Sequence, residues 1–315
     1  MRFQRLRRAL LTAASLSPLL LAACGGGSVE SEFHPARVVA FGDAAADAGQ
    51  RGARYTVNNG GVNWTEQLAA RYGLALAPSA SGGTSYAIGS ARVTARPDAS
   101  GNAATPTIAE QIDAFLAAGA PAGGDLVVVS GGTADILAQV AAVTATTQSQ
   151  AAATANVQQA GRELGAQVQR LVDAGASHVV VVGPYNLGRS PWAQASGNAA
   201  YLQDLSTQFN NGLLVSIVDL GAKVLYVDAA LYFNLVTASP ASYGFTDVDS
   251  VLCTSVDAGA GIGIGAGQVN SALCNAGTLT GAPVEATLFA DPVYFTPAGH
   301  VSFGNYAFDR LRERW

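Results

Sequence analysis

The chain has few cysteines, few histidines and little charge. Its 315 residues include three cysteines and three histidines, and only 12% are Asp, Glu, Lys or Arg. Three cysteines are too few for a disulfide-rich miniature scaffold or a four-thiolate zinc site. The acidic excess, 22 Asp+Glu against 17 Lys+Arg, argues against a nucleic-acid partner, because phosphate binding needs a basic face.

Long apolar runs are also missing outside the extreme N-terminus. Elsewhere no segment approaches the roughly 20 apolar residues that a membrane-spanning helix needs. Hydrophobic residues nevertheless make up 49% of the chain, which excludes an intrinsically disordered protein. No internal repeat or linker divides the remainder. We therefore predict one globular domain over residues 37–315, after a processed N-terminus.

The N-terminus has the pattern of a bacterial export signal. Four arginines among the first eight residues precede an apolar stretch, residues 9–23, that is too short to span a membrane. The stretch ends in LAAC, which resembles a lipobox and implies that Cys24 is lipidated. We expect residues 1–23 to be a signal peptide, 24–36 a linker, and the protein to be anchored in the outer membrane of the bacterial envelope. An ordinary secretory signal with a chance cysteine is the alternative.

The two remaining cysteines, Cys253 and Cys274, are expected to form a disulfide. Export places them in an oxidising compartment, where two leftover thiols usually pair. Closing such a loop stabilises a fold by roughly 3 kcal/mol in the chain-entropy model. The glycine-rich run between them, residues 258–267, has a GxGxxG-like spacing, but no strand precedes it and no helix follows. A tied-down surface loop is therefore favoured over a nucleotide site.

Short β-branched runs alternate with helical patterns along the rest of the chain. Strands are predicted at 37–43, 125–130, 178–183 and 223–228, and helices at 62–72, 107–118, 201–220, 297–312 and through Leu164, Val168 and Leu171. Residues 138–160 are read as a low-complexity Ala/Thr/Gln stretch. Unbroken apolar strands that alternate with helices are typical of parallel sheets covered on both faces. The predicted fold is α/β: a flavodoxin-like three-layer α/β/α sandwich with a parallel sheet of about five strands.

Four short blocks carry the residues that point to a family. They read FGDAAADAG at 41–49, SYAIGSA at 85–91, SGGTAD at 130–135 and DPVYFTPAGH at 291–300. Active groups collect beyond the carboxyl ends of parallel strands, where these blocks lie. Their order and spacing resemble the GDSL, or SGNH, hydrolase family, whose blocks read G-D-S-x-x-D-x-G, N-Y-A-x-G-G-A, G-x-N-D and D-x-x-H-P-T-x-x-G-H. The resemblance covers most of the chain after the signal and implies the same α/β/α fold.

The resemblance also implies a serine nucleophile, a histidine base oriented by an aspartate, and an oxyanion hole formed by a glycine and an asparagine. In this chain the serine position is Ala44, the glycine Ser90, the asparagine Ala134 and the histidine Tyr294. Only Asp291 is retained. Ala44 offers no nucleophile and Ala134 no donor, and a phenol with a pKa of about 10 is no base at neutral pH.

The other candidate residues give little support for an active site that has moved to different positions. His34 precedes the first strand. His178 lies at the start of a strand and is expected to be a structural residue at the sheet edge, with its polar atoms hydrogen-bonded. His300 matches the family's second histidine, which we interpret as structural. Ser130 matches a non-catalytic position. A metal site at the aspartates is the weaker interpretation, since no histidine or thiolate ligand lies nearby in the sequence.

Three further aspartates, Asp43, Asp47 and Asp135, match family positions that order the turn backbone. The leading prediction is a lipid-anchored pseudoenzyme that binds an acyl ester, a glycan or a protein partner, without cofactor, metal or nucleic acid. The alternative is a carboxylic ester hydrolase with a rearranged site. Four family residues are replaced together, including the glycine at position 90. This favours natural loss during evolution over engineered substitution of the catalytic residues.

Overall fold

A computed structural model of the chain describes residues 32–315. The signal peptide, Cys24 and most of the linker lie outside the described residues. The strands are β1 (Arg37–Gly42), β2 (Asp125–Ser130), β3 (Val179–Val182), β4 (Val224–Tyr226), β5 (Asp247–Val251), β6 (Val256–Asp257), β7 (Gln268–Val269) and β8 (Thr287–Phe289). The α-helices are α1 (Trp64–Arg71), α2 (Ile108–Ala118), α3 (Thr133–Thr144), α4 (Gln150–Asp173), α5 (Pro191–Ser196), α6 (Ala199–Ile217), α7 (Ala229–Ala238) and α8 (Pro297–Arg314).

The central sheet is parallel, in the order β1-β2-β3-β4, with helices on both of its faces. All residues of β2 and β3 are buried, as their unbroken apolar sequences predicted. The α/β prediction is thus confirmed. The expected fifth strand is reduced at the outer edge to one parallel bridge between Ser85 and Ala40 of β1. There the Tyr86 N–H donates to the Ala40 carbonyl at 2.7 Å.

The stretch predicted as low complexity is mostly helical. Residues 138–144 belong to α3 and residues 150–160 to α4. Alanine has the highest helix propensity, so a tract of alanines needs only caps and an apolar face to fold. Helices α4 and α6 then pack backbone to backbone: a Cβ on Gly161 would lie 2.1 Å from the Phe209 carbonyl oxygen. Glycine at this crossing leaves the space that a methyl group would fill.

The predicted helix ends agree with the observed ones to within a few residues. Helix α1 begins on a capping box, in which Asn63 accepts from the Glu66 N–H and the Glu66 carboxylate accepts from the Asn63 N–H. Helix α6 ends at Ile217, and residues 218–223 continue as a 3₁₀ segment rather than α-helix. Helices α5 and α7 and strands β5 to β8 were not predicted.

Cys253 and Cys274 form the predicted disulfide, with their Cα atoms 5.9 Å apart. The bridge closes a segment that contains the β6–β7 hairpin and the glycine-rich loop. Strand β5, which leads into this segment, pairs in parallel with β8, which leads to Asp291. Among residues 32–315 no helix is both long and apolar enough to cross a membrane.

Candidate functional site

The five positions that the family resemblance assigns to catalytic groups lie at the carboxyl end of the sheet. Ala44 is in a 3₁₀ turn directly after β1, and Ala134 is in the first turn of α3, directly after β2. The Asp43 carboxylate joins these two elements by accepting from the Ala134 N–H at 3.4 Å. The five side chains, Ala44, Ser90, Ala134, Asp291 and Tyr294, are only 0–3% exposed. None of them faces a cleft that is open to solvent.

The rings of Tyr294 and Tyr55 pack against each other beside Ser90. The two rings meet edge to face with centroids 5.3 Å apart, and the Tyr55 hydroxyl is hydrogen-bonded to the Ser90 side chain. Burial raises the pKa of Tyr55 to about 12. Burial, with further contributions from the carboxylates of Asp43 and Asp291, holds the pKa of Tyr294 well above its ordinary value. Both phenols are therefore protonated at neutral pH, and neither can accept a proton from a nucleophile.

The Asp291 carboxylate has no acceptor site left for an imidazole. Oδ1 accepts from the N–H groups of Val293 and Tyr294 at 2.8 and 2.7 Å. Oδ2 accepts from the Ser271 N–H at 3.0 Å and also from the Ser271 hydroxyl. A carboxylate offers about four lone-pair sites, so these donors saturate it. Asp291, which the resemblance assigns to the triad, thus holds two backbone segments together.

Asp43, Asp47 and Asp135 order the backbone around the site, as predicted. Asp43 accepts from the Ala45 N–H at 3.2 Å, and Asp135 accepts from the Val93 N–H at 3.0 Å. The donors to Asp47 are the N–H groups of Gly49, Gln50 and Gly89, at 2.7–2.9 Å. Within residues 32–315, no group of three or more His, Cys, Asp or Glu side chains is placed to hold a metal ion.

Burial dominates the titration of these carboxyls. It raises the pKa of Asp43 to about 7 and the pKa values of Asp135 and Asp291 to about 6. The hydrogen bonds from backbone N–H groups oppose the shift in each case. A raised pKa can mark a catalytic acid, but these groups are enclosed by the frame that they hold together.

His300 is buried next to the site residues Asp43 and Ser130. It is 2% exposed, and burial lowers its pKa to about 4, against the opposing effect of a hydrogen bond to the Tyr55 backbone. Its ring lines a narrow pocket of about 30 Å³, together with Asp43 and Ser130. His178 contacts the Ser177 hydroxyl at 3.1 Å and stacks on Phe33, as expected of a satisfied edge residue.

A surface groove of about 470 Å³ borders the site, and sequence analysis missed it. We call it the Trp192 groove; it is lined by Val140, Ala141, Thr144, Ala145, Trp192, Ser196, Asn198, Gly263, Ile264 and Gly265. The Trp192 N–H donates to the carbonyl of Pro292, next to Asp291, at 3.0 Å. On the other wall Gly263 packs against Ala99, whose N–H donates to the Ser90 carbonyl at 3.0 Å. The sequence feature from which this wall could have been found is the glycine-rich loop that the disulfide closes.

The parallel sheet, the capped turn after β1 and the aspartates that bind the backbone define an α/β hydrolase framework of the flavodoxin-like kind. The chain belongs to the family of GDSL-like lipases and acylhydrolases, whose family profile matches residues 38–307. This confirms the resemblance seen in the four sequence blocks.

The chain also resembles individual proteins at low identity. It is 26% identical over 156 residues to an uncharacterized Pseudomonas putida protein encoded in the trpE-trpG intergenic region; the match covers 50% of this chain and 25% of that protein. Solved structures with a similar fold include Est24, a carbohydrate acetylesterase from Sinorhizobium meliloti, and an aryl esterase from M. smegmatis. Both are 14% identical, with TM-scores of 0.47 and 0.46, and each match covers 89% of this chain and 99% of the other. Similarity at this level assigns no substrate to the chain.

Proposed function

We propose that the chain is a catalytically silent GDSL-family protein of the bacterial envelope that binds an uncharged ligand in the Trp192 groove. The observation that carries the proposal is the buried Tyr294 side chain at the position of the base. Its ring packs edge to face against Tyr55, and residue 44, where the family resemblance places the nucleophile, is alanine. The positions that the resemblance assigns to the base and the nucleophile thus hold neither an imidazole nor a hydroxyl nucleophile.

The size of the loss supports catalytic silence. Removing the serine or the histidine of a triad costs about 10⁶ in turnover, and the residues act as a unit. A residual rate of roughly 10³–10⁴ over water normally survives, from the oxyanion hole and substrate binding. Ala134 lacks the oxyanion-binding side chain, which stabilises the transition state by on the order of 3 kcal/mol. The residual rate should therefore be lower still.

The lining of the groove favours an uncharged ligand. Its polar side chains are those of Thr144, Ser196 and Asn198, and none of its lining residues is Asp, Glu, Lys or Arg. Trp192, half-buried at one wall, offers a flat apolar surface, and Ile264 lies in the opposite wall. An acyl chain packs on such a surface and a sugar ring stacks on it, so an acyl ester and a glycan share the chemistry that the groove requires.

The proposed location is the outer membrane, through lipidated Cys24. Its support is the order of basic residues, apolar stretch and LAAC, followed by three glycines. The Cys253–Cys274 disulfide fits an oxidising compartment outside the cytoplasm.

Covalent labelling and ligand titration test the two parts of the proposal. A fluorophosphonate probe, which labels activated serines, should leave the purified protein unlabelled, whereas labelling of any serine would overturn catalytic silence. The protein is titrated with a non-hydrolysable acyl ether and, separately, with an oligosaccharide. One of the two ligands should change the tryptophan fluorescence. The change should vanish in Trp192→Phe. Saturable binding that Trp192→Phe leaves intact would exclude the groove, and absence of binding in both arms would exclude both ligand classes.

The alternative, ester hydrolysis through a rearranged site, needs another base. His34 and His178 lie at the amino end of the sheet, away from the site. His300 is the remaining histidine, and it is buried and neutral, with a pKa of about 4. The geometry therefore favours the silent protein over the rearranged enzyme.

A further inference from the structure

The chain enters the domain at the amino end of the sheet. Phe33 stacks on His178 with ring centroids 3.8 Å apart, and His178 directly precedes β3. Trp315 packs edge-on against His178 at 5.0 Å and against Phe33 at 6.0 Å. The first described residues and the last helix therefore meet at the end of the sheet opposite to the candidate site.

An exposed apolar patch lies at the same end. It consists of Leu214, Val215 and Val218, which are 39%, 72% and 72% exposed. Residues three and four apart share one helix face, so the three side chains are neighbours at the end of α6. The Trp315 indole N–H donates to the carbonyl of Ala222, four residues after Val218, at 2.8 Å. This bond ties the patch to the point where the chain enters.

The length of chain up to the proposed anchor restricts what can cover this patch. Cys24 and Phe33 are nine residues apart in the sequence. A fully extended chain spans at most about 3.6 Å per residue, so the reach is about 30 Å. A strand as long as β2 spans about 20 Å, so the Trp192 groove at the opposite end lies that much farther from the anchor. The end that carries the patch is thus the one held closest to the membrane.

We propose that this end, the amino edge defined by Phe33, His178, Trp315 and the patch, rests on the phospholipid surface of the membrane. The inference rests on the proposed lipid anchor at Cys24. The valines contact the interfacial region, where apolar side chains and half-exposed indoles are favoured. Charges of both signs, Asp219, Lys223 and Arg314, are exposed beside the patch, and Arg314 donates to the Gly221 carbonyl. Binding to a zwitterionic lipid surface therefore depends on the apolar side chains. The Trp192 groove then faces the aqueous phase and is open to ligand.

Two tryptophans at opposite ends of the sheet report this orientation. The lipidated protein is reconstituted into phosphatidylcholine vesicles with brominated acyl chains, which quench nearby indoles. Quenching is expected in the wild type and in Trp192→Phe, and it should be lost in Trp315→Phe. The third tryptophan, Trp64, is 2% exposed in the core and serves as a constant background. Quenching that Trp192→Phe removes and Trp315→Phe preserves would place the opposite end on the membrane and overturn the proposal.

A second pair of variants guards against misfolding of Trp315→Phe. Val215→Ser with Val218→Ser should lower the quenching at least twofold, whereas Val256→Ser with Leu273→Ser should leave it unchanged. The control residues are also exposed, at 62% and 51%, but lie in the disulfide-closed segment near Asp291. Equal quenching in both pairs would contradict the docking surface.

Mass spectrometry of Cys24 and vesicle flotation separate the orientation from the anchor. A protein that carries acyl chains and floats with the vesicles, but whose Trp315 is not quenched, overturns the orientation alone. A protein without acyl chains overturns the anchor and the orientation that depends on it.

Discussion

Ser271 donates both its backbone N–H and its hydroxyl to Oδ2 of Asp291. In a triad the aspartate accepts from the imidazole and fixes its orientation. Here that acceptor is bound instead by a residue of the disulfide-closed segment, three positions before Cys274. Restoring the family residues at the other site positions would therefore leave Oδ2 of Asp291 still bound by Ser271.

Restoring the family residues should recover ester hydrolysis in steps. Ala44→Ser alone is expected to stay at background, because no base is present. Ala44→Ser, Ala134→Asn and Tyr294→His together should give weak activity, because they supply a nucleophile, an oxyanion donor and a base at once. Adding Ser271→Ala frees an acceptor on Asp291 and should raise kcat by about tenfold or more, in line with the triad aspartate's share of catalysis.

Initial rates on a short-chain p-nitrophenyl ester measure the series. Equal kcat values with and without Ser271→Ala would show that Ser271 does not compete for Asp291. Activity in Ala44→Ser alone would show that a base other than residue 294 is at hand.

The buried Asp43 should make the stability of the fold decrease with rising pH. Its pKa is about 7 in the folded chain, raised by burial, and about 3.9 when the chain unfolds. Between these values the folded state binds more protons than the unfolded state, so the free energy of unfolding falls as the pH rises. Relative to Asp43→Asn, the wild type should lose up to roughly 4 kcal/mol between pH 4 and pH 8.

Urea unfolding of both proteins across this pH range measures the difference. Groups that do not interact with residue 43 titrate in both chains and cancel in the comparison, whereas the charge of Asp135, which adds to the Asp43 shift, is part of the measured difference. A difference that stays constant with pH would contradict a raised pKa at Asp43.

The disulfide should stabilise the fold without being needed for it. Cys253→Ala with Cys274→Ala is expected to lower the free energy of unfolding by roughly 3 kcal/mol, the chain-entropy value for a loop of this length. Thiol labelling of the unreduced, denatured wild type should find neither cysteine free. Labelling of both residues would refute the pairing in the native protein.

The anchor prediction concerns residues outside the described structure. Cys24→Ser should either release the protein from membranes or leave its signal peptide uncleaved, because lipidation requires the thiol. Fractionation with an antibody against the folded domain measures the distribution. A variant that is processed and membrane-bound like the wild type would contradict lipidation at Cys24.

The sheet and the turns that follow its strands were predictable because local patterns determine them. The valines of β2 and β3 specify central strands, and the aspartates after β1 and β2 identified the turns. The first half of α4, residues 150–160, was missed because it is rich in alanine and its packing depends on Gly161. The second half was predicted from its apolar stripe, Leu164, Val168 and Leu171. Ser271 and Tyr55 were missed for another reason: their partners, Asp291 and Ser90, lie 20 and 35 residues away in sequence. No local pattern records such pairs.

Turnover of carboxylic esters by the purified wild-type protein is the most direct test of catalytic silence. A panel of esters from acetyl to long acyl chains is assayed at pH 7–8, with Asp291→Ala and His300→Ala variants measured in parallel. The expected result is hydrolysis indistinguishable from the buffer background for all three proteins. Robust hydrolysis by the wild type, abolished by either substitution, would reveal a rearranged active site and contradict the proposed function.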